Sequence, residues 1–242
     1  LNMFKFLRKN IDDTSLLQGA TDVHSHLLSG VDDGFPDYES SQEAVDHLEG
    51  LGIKHIVLTP HVMEDLTLNR ADYLKGRFQE FESKIHTSIQ FHLAAEYMMD
   101  AAFEDRLNEE ILGLDNEHIL VETSYLSAPP NLYDLLYQIT LKGYVPVIAH
   151  PERYVYMSDE EINHLRKDLG CELQMNMMSL AGIYGRGASK RSLNFLRDGW
   201  YTYIGSDIHQ LSPFIHALKQ IKLGSKEQKA IRQLFENNQQ LF

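Results

Sequence analysis

Thr21-Asp22-Val23-His24-Ser25-His26-Leu27-Leu28-Ser29-Gly30-Val31-Asp32-Asp33-Gly34 is the stretch from which the rest of the chain can be read. If residues 22–27 form a strand, a side-chain period of two puts His24 and His26 on one face, with Val23 and Ser25 on the other. Two imidazoles then point at one spot. Gly30, the aspartate pair and Gly34 follow at once, so the strand runs out into a loop just past the second histidine. A histidine pair beside a loop is one way to begin a metal site, and an isolated HxH serves equally well as an ordinary strand. The neighbouring segments have to decide.

Downstream, strand-like and helix-like segments alternate. Apolar runs predict strands at 53–58, 89–95, 118–122, 144–149, 171–177 and 200–206. Helical spacing predicts helices at 37–52, with Ser40 and Ser41 as caps, and at 70–85, 102–112, 131–142, 159–169 and 189–198. Pro146 weakens the strand at 144–149. Such alternation implies an α/β fold with a mainly parallel sheet. One domain over 1–242 is expected, with 1–20 as an N-terminal cap segment and helices within 210–242 closing the chain.

The metal-capable residues fall in a pattern. His24, His26, His61, Glu96, Glu122, His150, Asp207 and His209 each lie at the C-terminal end of a predicted strand. In parallel α/β sheets and barrels those ends form the functional face, so residues scattered along the sequence converge in space. Closure into a barrel would bring the first and last strands together, and with them His24, His26, Asp207 and His209. Eight nitrogen and oxygen donors without a thiolate suit Zn²⁺, Mn²⁺ or Fe²⁺ and exceed the needs of one tetrahedral ion, so two or three divalent ions are implied. The other seven histidines fall on helices, in strand interiors or in turns, where surface or hydrogen-bonded roles are expected.

Composition narrows the function. A net charge of −13 argues against nucleic acid or an anionic membrane as a general partner. The single Cys171 excludes an intrachain disulfide framework and fits a reducing, cytoplasmic setting, and no apolar run is long enough to insert into a membrane. Cys171 also lacks an arginine at the spacing a phosphocysteine mechanism needs.

The ordered set DxHSH, GxDDG, TPH, AEY, HPER and SDIH resembles the polymerase and histidinol phosphatase (PHP) superfamily. Within it, HxHxLxGxDDG together with HPERY resembles the bacterial protein-tyrosine phosphatases that act on capsule and exopolysaccharide tyrosine kinases. The resemblance covers residues 21–209. It implies a distorted (β/α)7 barrel of PHP type and a three-metal cluster held by the eight residues above, with manganese first and iron or zinc as alternatives. It also makes Arg153 the arginine that contacts substrate phosphate. After His209 the run Gln210-Leu211-Ser212-Pro213-Phe214 departs from the family pattern, so a second phosphate-binding arginine is missing there, and Arg186 and Arg191 are the candidates to replace it.

The chemistry agrees with that resemblance. Hydrolysis of a phosphate monoester is among the slowest uncatalysed reactions, and metal ions supply both an activated hydroxide and neutralising charge. Arg153 adds a bidentate grip on the phosphoryl oxygens. Asp32 and Asp33 are candidates for a general acid or for orienting the attacking water, with Asp33 taken forward as catalytic; an aspartate turn is the plain alternative. Glu152 reads as a partner of Arg153 or of a ligand histidine, and Tyr125, Tyr154 and Tyr156 either stack on an aryl substrate or pack a loop. The expected function is metal-dependent hydrolysis of phosphotyrosine on a kinase tail. A histidinol-phosphate or other small-molecule phosphomonoesterase, a polymerase-associated exonuclease, and a silent metal-binding domain that docks a kinase are the competing readings. Oligomeric state is not legible.

Overall fold

The computed structural model describes residues 8–242; the start of the expected cap segment, residues 1–7, lies outside the described residues. The cap begins with strand β1 (Lys9–Asn10), which pairs antiparallel with β11 (Lys222–Leu223). Ile11 follows, fully buried, with its N–H donated to the Ile221 carbonyl at 3.0 Å. The start of the described residues is thus stitched to the segment at 221–223.

Two parallel sheets make the body. One holds β2 (Thr21–Ser25), β3 (His55–Leu58) and β5 (Gln90–Leu93) in the order β2-β3-β5. The other runs β10-β9-β8-β7-β6-β4, comprising β4 (His61–Val62), β6 (Glu96–Met98), β7 (His118–Glu122), β8 (Val145–Ala149), β9 (Glu172–Asn176) and β10 (Tyr203–Gly205). β3 and β4 are a single strand path broken at Thr59-Pro60, and β5 and β6 are another broken at Ala94-Ala95. Across the breaks the ladder continues, with Ala94 N–H donated to Leu58 O at 2.9 Å and Glu96 N–H to Pro60 O at 3.1 Å. On the far side the N–H of Asp207 donates to His24 O at 2.8 Å, the N–H of His26 donates to Ile208 O at 3.0 Å, and Ser25 bridges to Ile208. Seven strand paths therefore close a distorted barrel, as expected. Val23, Val57, Ala94, Leu120, Val147, Ala149 and Tyr203 form a small cluster of their own inside it, while a larger apolar cluster lies between barrel and helices.

Pro146 sits inside β8 without breaking it. The neighbouring Val145 N–H donates toward β7, to Glu117 O at 2.7 Å, so the missing proline donor faces β9. There the ladder starts only at Val147 opposite Glu172, and no bond is lost.

Helices α1 (Tyr38–Gly50), α2 (Ala71–Lys84), α3 (Phe103–Arg106), α4 (Leu132–Leu141), α5 (Asp159–Asp168), α6 (Gly185–Arg197), α7 (Leu211–Leu218) and α8 (Ser225–Asn238) complete the fold. Asp37, not Ser40 or Ser41, caps α1: its side chain accepts the Ser40 N–H at 2.8 Å, and the buried Ser41 hydroxyl turns inward to donate to Leu27 O. The helix expected over 102–112 stops at Arg106, because Leu112 is drawn into barrel contacts and its carbonyl accepts the Ala95 N–H at 3.0 Å. Among the described residues no helix is long and apolar enough to cross a membrane.

Candidate metal centre and the cavity above it

β2 ends one residue before His26, and its register against β3 shifts between Asp22 and Ser25. Even so, His24 and His26 converge, with their Nε2 atoms 3.2 Å apart. The other nitrogen of each ring is committed. His24 donates Nδ1–H to Gln174 Oε1 at 3.0 Å, and His26 donates Nδ1–H to Asp32 Oδ2 at 2.8 Å. His209 is fixed the same way, through Nδ1–H donated to the Asp207 carbonyl at 3.0 Å. These bonds set the tautomer and leave three Nε2 lone pairs free, the arrangement found around metal-bound histidines.

Three overlapping donor groups result, each with one ligand atom per residue and all such atoms within 4.8 Å of one another. They are His24, His26, Glu96 and Asp207; His61, Glu96 and Glu122; and His26, Asp33, His61 and His209. Glu96 belongs to two of them, as a bridging carboxylate would. His150 stands beside the second group, its Nε2 3.0 Å from Glu96 Oε1 and 3.7 Å from Glu122 Oε2. All eight residues singled out in the sequence are therefore brought together. His61 and Glu96 reach the cluster by opening new strands after the two breaks, instead of ending the strands before them.

The electrostatics of this cluster are those of a cation site. Glu122 is buried, yet neither of its carboxylate oxygens accepts a well-aligned hydrogen bond, and Glu96 Oε2 and His61 Nδ1 make none either, although His61 Nδ1 lies 3.1 Å from both Glu96 Oε2 and Glu122 Oε1. Buried polar atoms left this way are costly and call for a partner. Without ions, burial opposes charge on His24 and His61, but the facing carboxylates outweigh it and raise both above the ordinary histidine value. Protons then stand in for missing positive charge. Backbone strain concentrates here too: among the described residues, His150 and Asp207 are the non-glycine residues with positive φ, at 35° and 53°.

Asp32 and Asp33 have different surroundings. The Asp32 side chain is buried against His26 and also accepts the His61 N–H at 3.1 Å. Asp33 is exposed, with Oδ1 3.4 Å from the Nε2 atoms of both His61 and His209. Contacts with His209 and His61 hold its carboxyl well below the usual range, which favours the ionised form that accepts from water or a cation.

Above the cluster opens a cavity of about 600 Å³. Asp33, His61, Glu122, Asp207 and His209 line its polar side, and Met63, Leu66, Met98, Met178, Ile183 and Pro213 line its apolar side. Arg153 is the one lysine or arginine among the lining residues, and its Nη1 donates to Asp207 Oδ2 at 2.8 Å. Arg191 does not take part, since it is tied to Asp159 and to the carbonyls of Tyr154 and Met157; Arg186 does not line the cavity.

Residues 20–242 match the family described as "Capsular polysaccharide synthesis, CpsB/CapC". The chain belongs to the CpsB/CapC family. Tyrosine-protein phosphatase YwqE of Bacillus subtilis is 30% identical over 202 residues, covering 78% of this chain and 77% of that protein. Tyrosine-protein phosphatase CpsB of Streptococcus pneumoniae is 28% identical over 233 residues, covering 90% of this chain and 95% of that protein. A crystal structure from a study of these same two proteins, described there as metal-dependent tyrosine phosphatases, matches with a TM-score of 0.76 at 26% identity, covering 91% of this chain and 93% of that one.

Several parts of this CpsB/CapC site were not read from the sequence. Gln174 and Asn176 support His24 and Asp207, the latter through an Asn176 Nδ2 bond of 2.7 Å to Asp207 Oδ2. Their signal was polar residues alternating with apolar ones, Glu172, Gln174 and Asn176 at i, i+2 and i+4 of one strand. Tyr184, which lines the cavity, gave no signal. Glu152 touches neither Arg153 nor a ligand histidine; it accepts from Asn176 N–H, Ser179 and Tyr201 and so braces the end of β9. Of the three tyrosines, Tyr125 lines the cavity, whereas Tyr154 is fully buried and stacks on Tyr156.

Proposed function

We propose that this CpsB/CapC chain is a metal-dependent protein-tyrosine phosphatase acting in the cytoplasm on a phosphotyrosine-bearing bacterial kinase of capsule or exopolysaccharide synthesis. One observation carries the reading: the buried Glu122 carboxylate, which accepts no well-aligned hydrogen bond, and a single arginine meet at one cavity. The names of YwqE and CpsB, and the metal dependence stated for them, support it.

Two or three divalent ions, manganese first, would be held by His24, His26, His61, Glu96, Glu122, His150, Asp207 and His209. When bound, such ions lower the pKa of water and offset charge on phosphoryl oxygens. Arg153 binds the phosphate dianion through in-plane N–H groups. Asp33, ionised at the mouth, accepts a hydrogen bond from the attacking water and aims it. Asp32 keeps the His26 ring from turning. Met178, Ile183 and Tyr184 offer an apolar wall to the aryl group. A phenolate leaves readily, with a pKa near 10, so no strong general acid is needed. Cys171 is no nucleophile, because burial pushes its thiol up to about 12. Residues 1–242 act as one phosphatase unit on this reading.

The test is phosphate release from a phosphotyrosine peptide and from histidinol phosphate by metal-loaded protein, with and without chelator. Chelator-sensitive turnover of the peptide, about tenfold or more above the small molecule in kcat/KM, is expected. His26→Ala and His150→Ala abolish it, and Arg153→Ala raises KM more than it lowers kcat. Failure of fully loaded protein to hydrolyse the peptide ends this reading.

A further inference from the structure

We propose that Tyr125 and Tyr184 are positioning residues that hold the Arg153 guanidinium between their rings, so that only its in-plane N–H edge is presented to an oxyanion in the cavity. The inference rests on the phosphate-binding role given to Arg153 above and adds the device that aims it. The Arg153 Cζ lies 4.2 Å from the Tyr125 ring centroid and 4.0 Å from that of Tyr184. Both distances put the guanidinium carbon over a ring at close range, which favours a cation, most of all where water is thinned out. A planar five-donor fork enclosed between two rings is left its edge for bonding, the geometry that suits two phosphoryl oxygens at once.

A closed circuit fixes the same group from the side. Arg153 Nη1 donates to Asp207 Oδ2 at 2.8 Å, and that oxygen also accepts Asn176 Nδ2 at 2.7 Å. The Asn176 amide reaches back to the Tyr184 hydroxyl at 3.2 Å. Tyr184 completes the circuit with its ring on Arg153. Burial pushes the Tyr184 phenol up to about 12, so it stays a neutral hydroxyl. Among the described residues Asp207 is the sole protein acceptor for Arg153, so the remaining donors are free for a ligand. An arginine otherwise loses much rotamer freedom when it grips an anion, and a pre-set one loses less.

Tyr125 makes the point separable from folding. It is 41% exposed, on the segment that follows β7, next to Leu126 at 88%. Its ring contributes little to the core, so its position over Arg153 is not demanded by stability.

The experiment measures binding of inorganic phosphate to metal-loaded protein by calorimetry, beside steady-state kinetics on a phosphotyrosine peptide. Tyr125→Leu and Tyr184→Leu are each expected to weaken phosphate binding about 2- to 30-fold. Tyr125→Phe and Tyr184→Phe restore it to within about threefold, since a phenyl face also attracts a cation. In the Tyr125 variants KM for the peptide follows the phosphate Kd, while kcat moves little. Metal content and melting temperature serve as folding controls, and the Tyr125 pair decides the matter if Tyr184→Leu fails to fold. Leucine variants that bind phosphate like wild type, phenylalanine variants that lose as much as the leucine ones, or an Arg153→Ala that binds phosphate normally would each overturn the inference. If the variants rank as expected but wild type does not turn over the peptide, the arginine clamp stands and the phosphatase reading falls.

Discussion

Asp32 grips His26: its Oδ2 accepts the Nδ1–H at 2.8 Å and, on the same oxygen, the backbone N–H of His61 at 3.1 Å. One carboxylate thus fixes the ring of one candidate ligand and the backbone of another, while Asp33 beside it points out toward His61 and His209. Removing such a supporting partner usually costs about 10- to 100-fold in metal affinity or activity. Asp32→Ala is therefore expected to weaken metal binding by that factor in a competition titration with a chelating dye. Asp33→Ala, at an exposed position, should lower kcat and leave the melting temperature within about 2 °C of wild type, as exposed substitutions usually do.

Glu122 gives the metal a thermodynamic signature. It is buried with both oxygens unpartnered, so ion binding relieves a cost present in the folded state alone. A ligand at about 100 times its Kd adds about 2.7 kcal/mol, and for a chain of this size each kcal/mol shifts melting by about 2–4 °C. Stripping the ions should lower the melting temperature by about 5–10 °C in scanning calorimetry. In Glu122→Gln the drop should shrink to less than half; an undiminished drop would remove Glu122 from the cluster.

The barrel and most of the cluster were legible because apolar runs stop at charged residues, a period that survives whatever the tertiary details. What the sequence left hidden is set by contacts between distant segments. The breaks at Thr59-Pro60 and Ala94-Ala95 turn two expected strands into four, since each path must switch sheets for the barrel to close. The pairing of β1 with β11 joins residues more than 200 apart and has only two residues per strand, too few for any period. Asp32 and Asp33 are indistinguishable as letters, and only the fold buries one and exposes the other. Tyr184 lies just ahead of α6, which begins at Gly185, four residues before the predicted start. No side-chain pattern marks that helix end.

Gly205 passes close to the first histidine. A Cβ there would come within 2.4 Å of the His24 Cβ, closer than real atoms approach, and 3.0 Å of its backbone nitrogen. The neighbours cannot yield cheaply, because His24 is buried and its ring is held by Gln174. Gly205→Ala is expected to cost about 1–3 kcal/mol, the range for overpacking a filled interior, and to displace His24 from its group. Denaturant unfolding reads the first effect and metal content the second. A variant with wild-type midpoint and full metal content would show that β10 can step away from β2.

His118 ties stability to pH at the barrel end opposite the cluster. Its Nε2 lies 3.3 Å from Glu172 and its Nδ1 2.9 Å from Asp115. The Glu172 contact, aided by Asp115 and opposed by burial, raises the histidine to about 9. Because the folded value exceeds the unfolded one of about 6.5, the stabilisation is complete below pH 6.5 and is lost as pH rises through about 9. Allowing for solvent screening at a partly exposed site, it contributes about 1 kcal/mol, or about 2–4 °C. Wild type should therefore melt about that much above His118→Gln at pH 6, and the two should coincide near pH 10. A gap independent of pH would assign the effect of the substitution to packing against Tyr203, whose ring meets that of His118 edge-on at 5.8 Å, and not to the ion pairs.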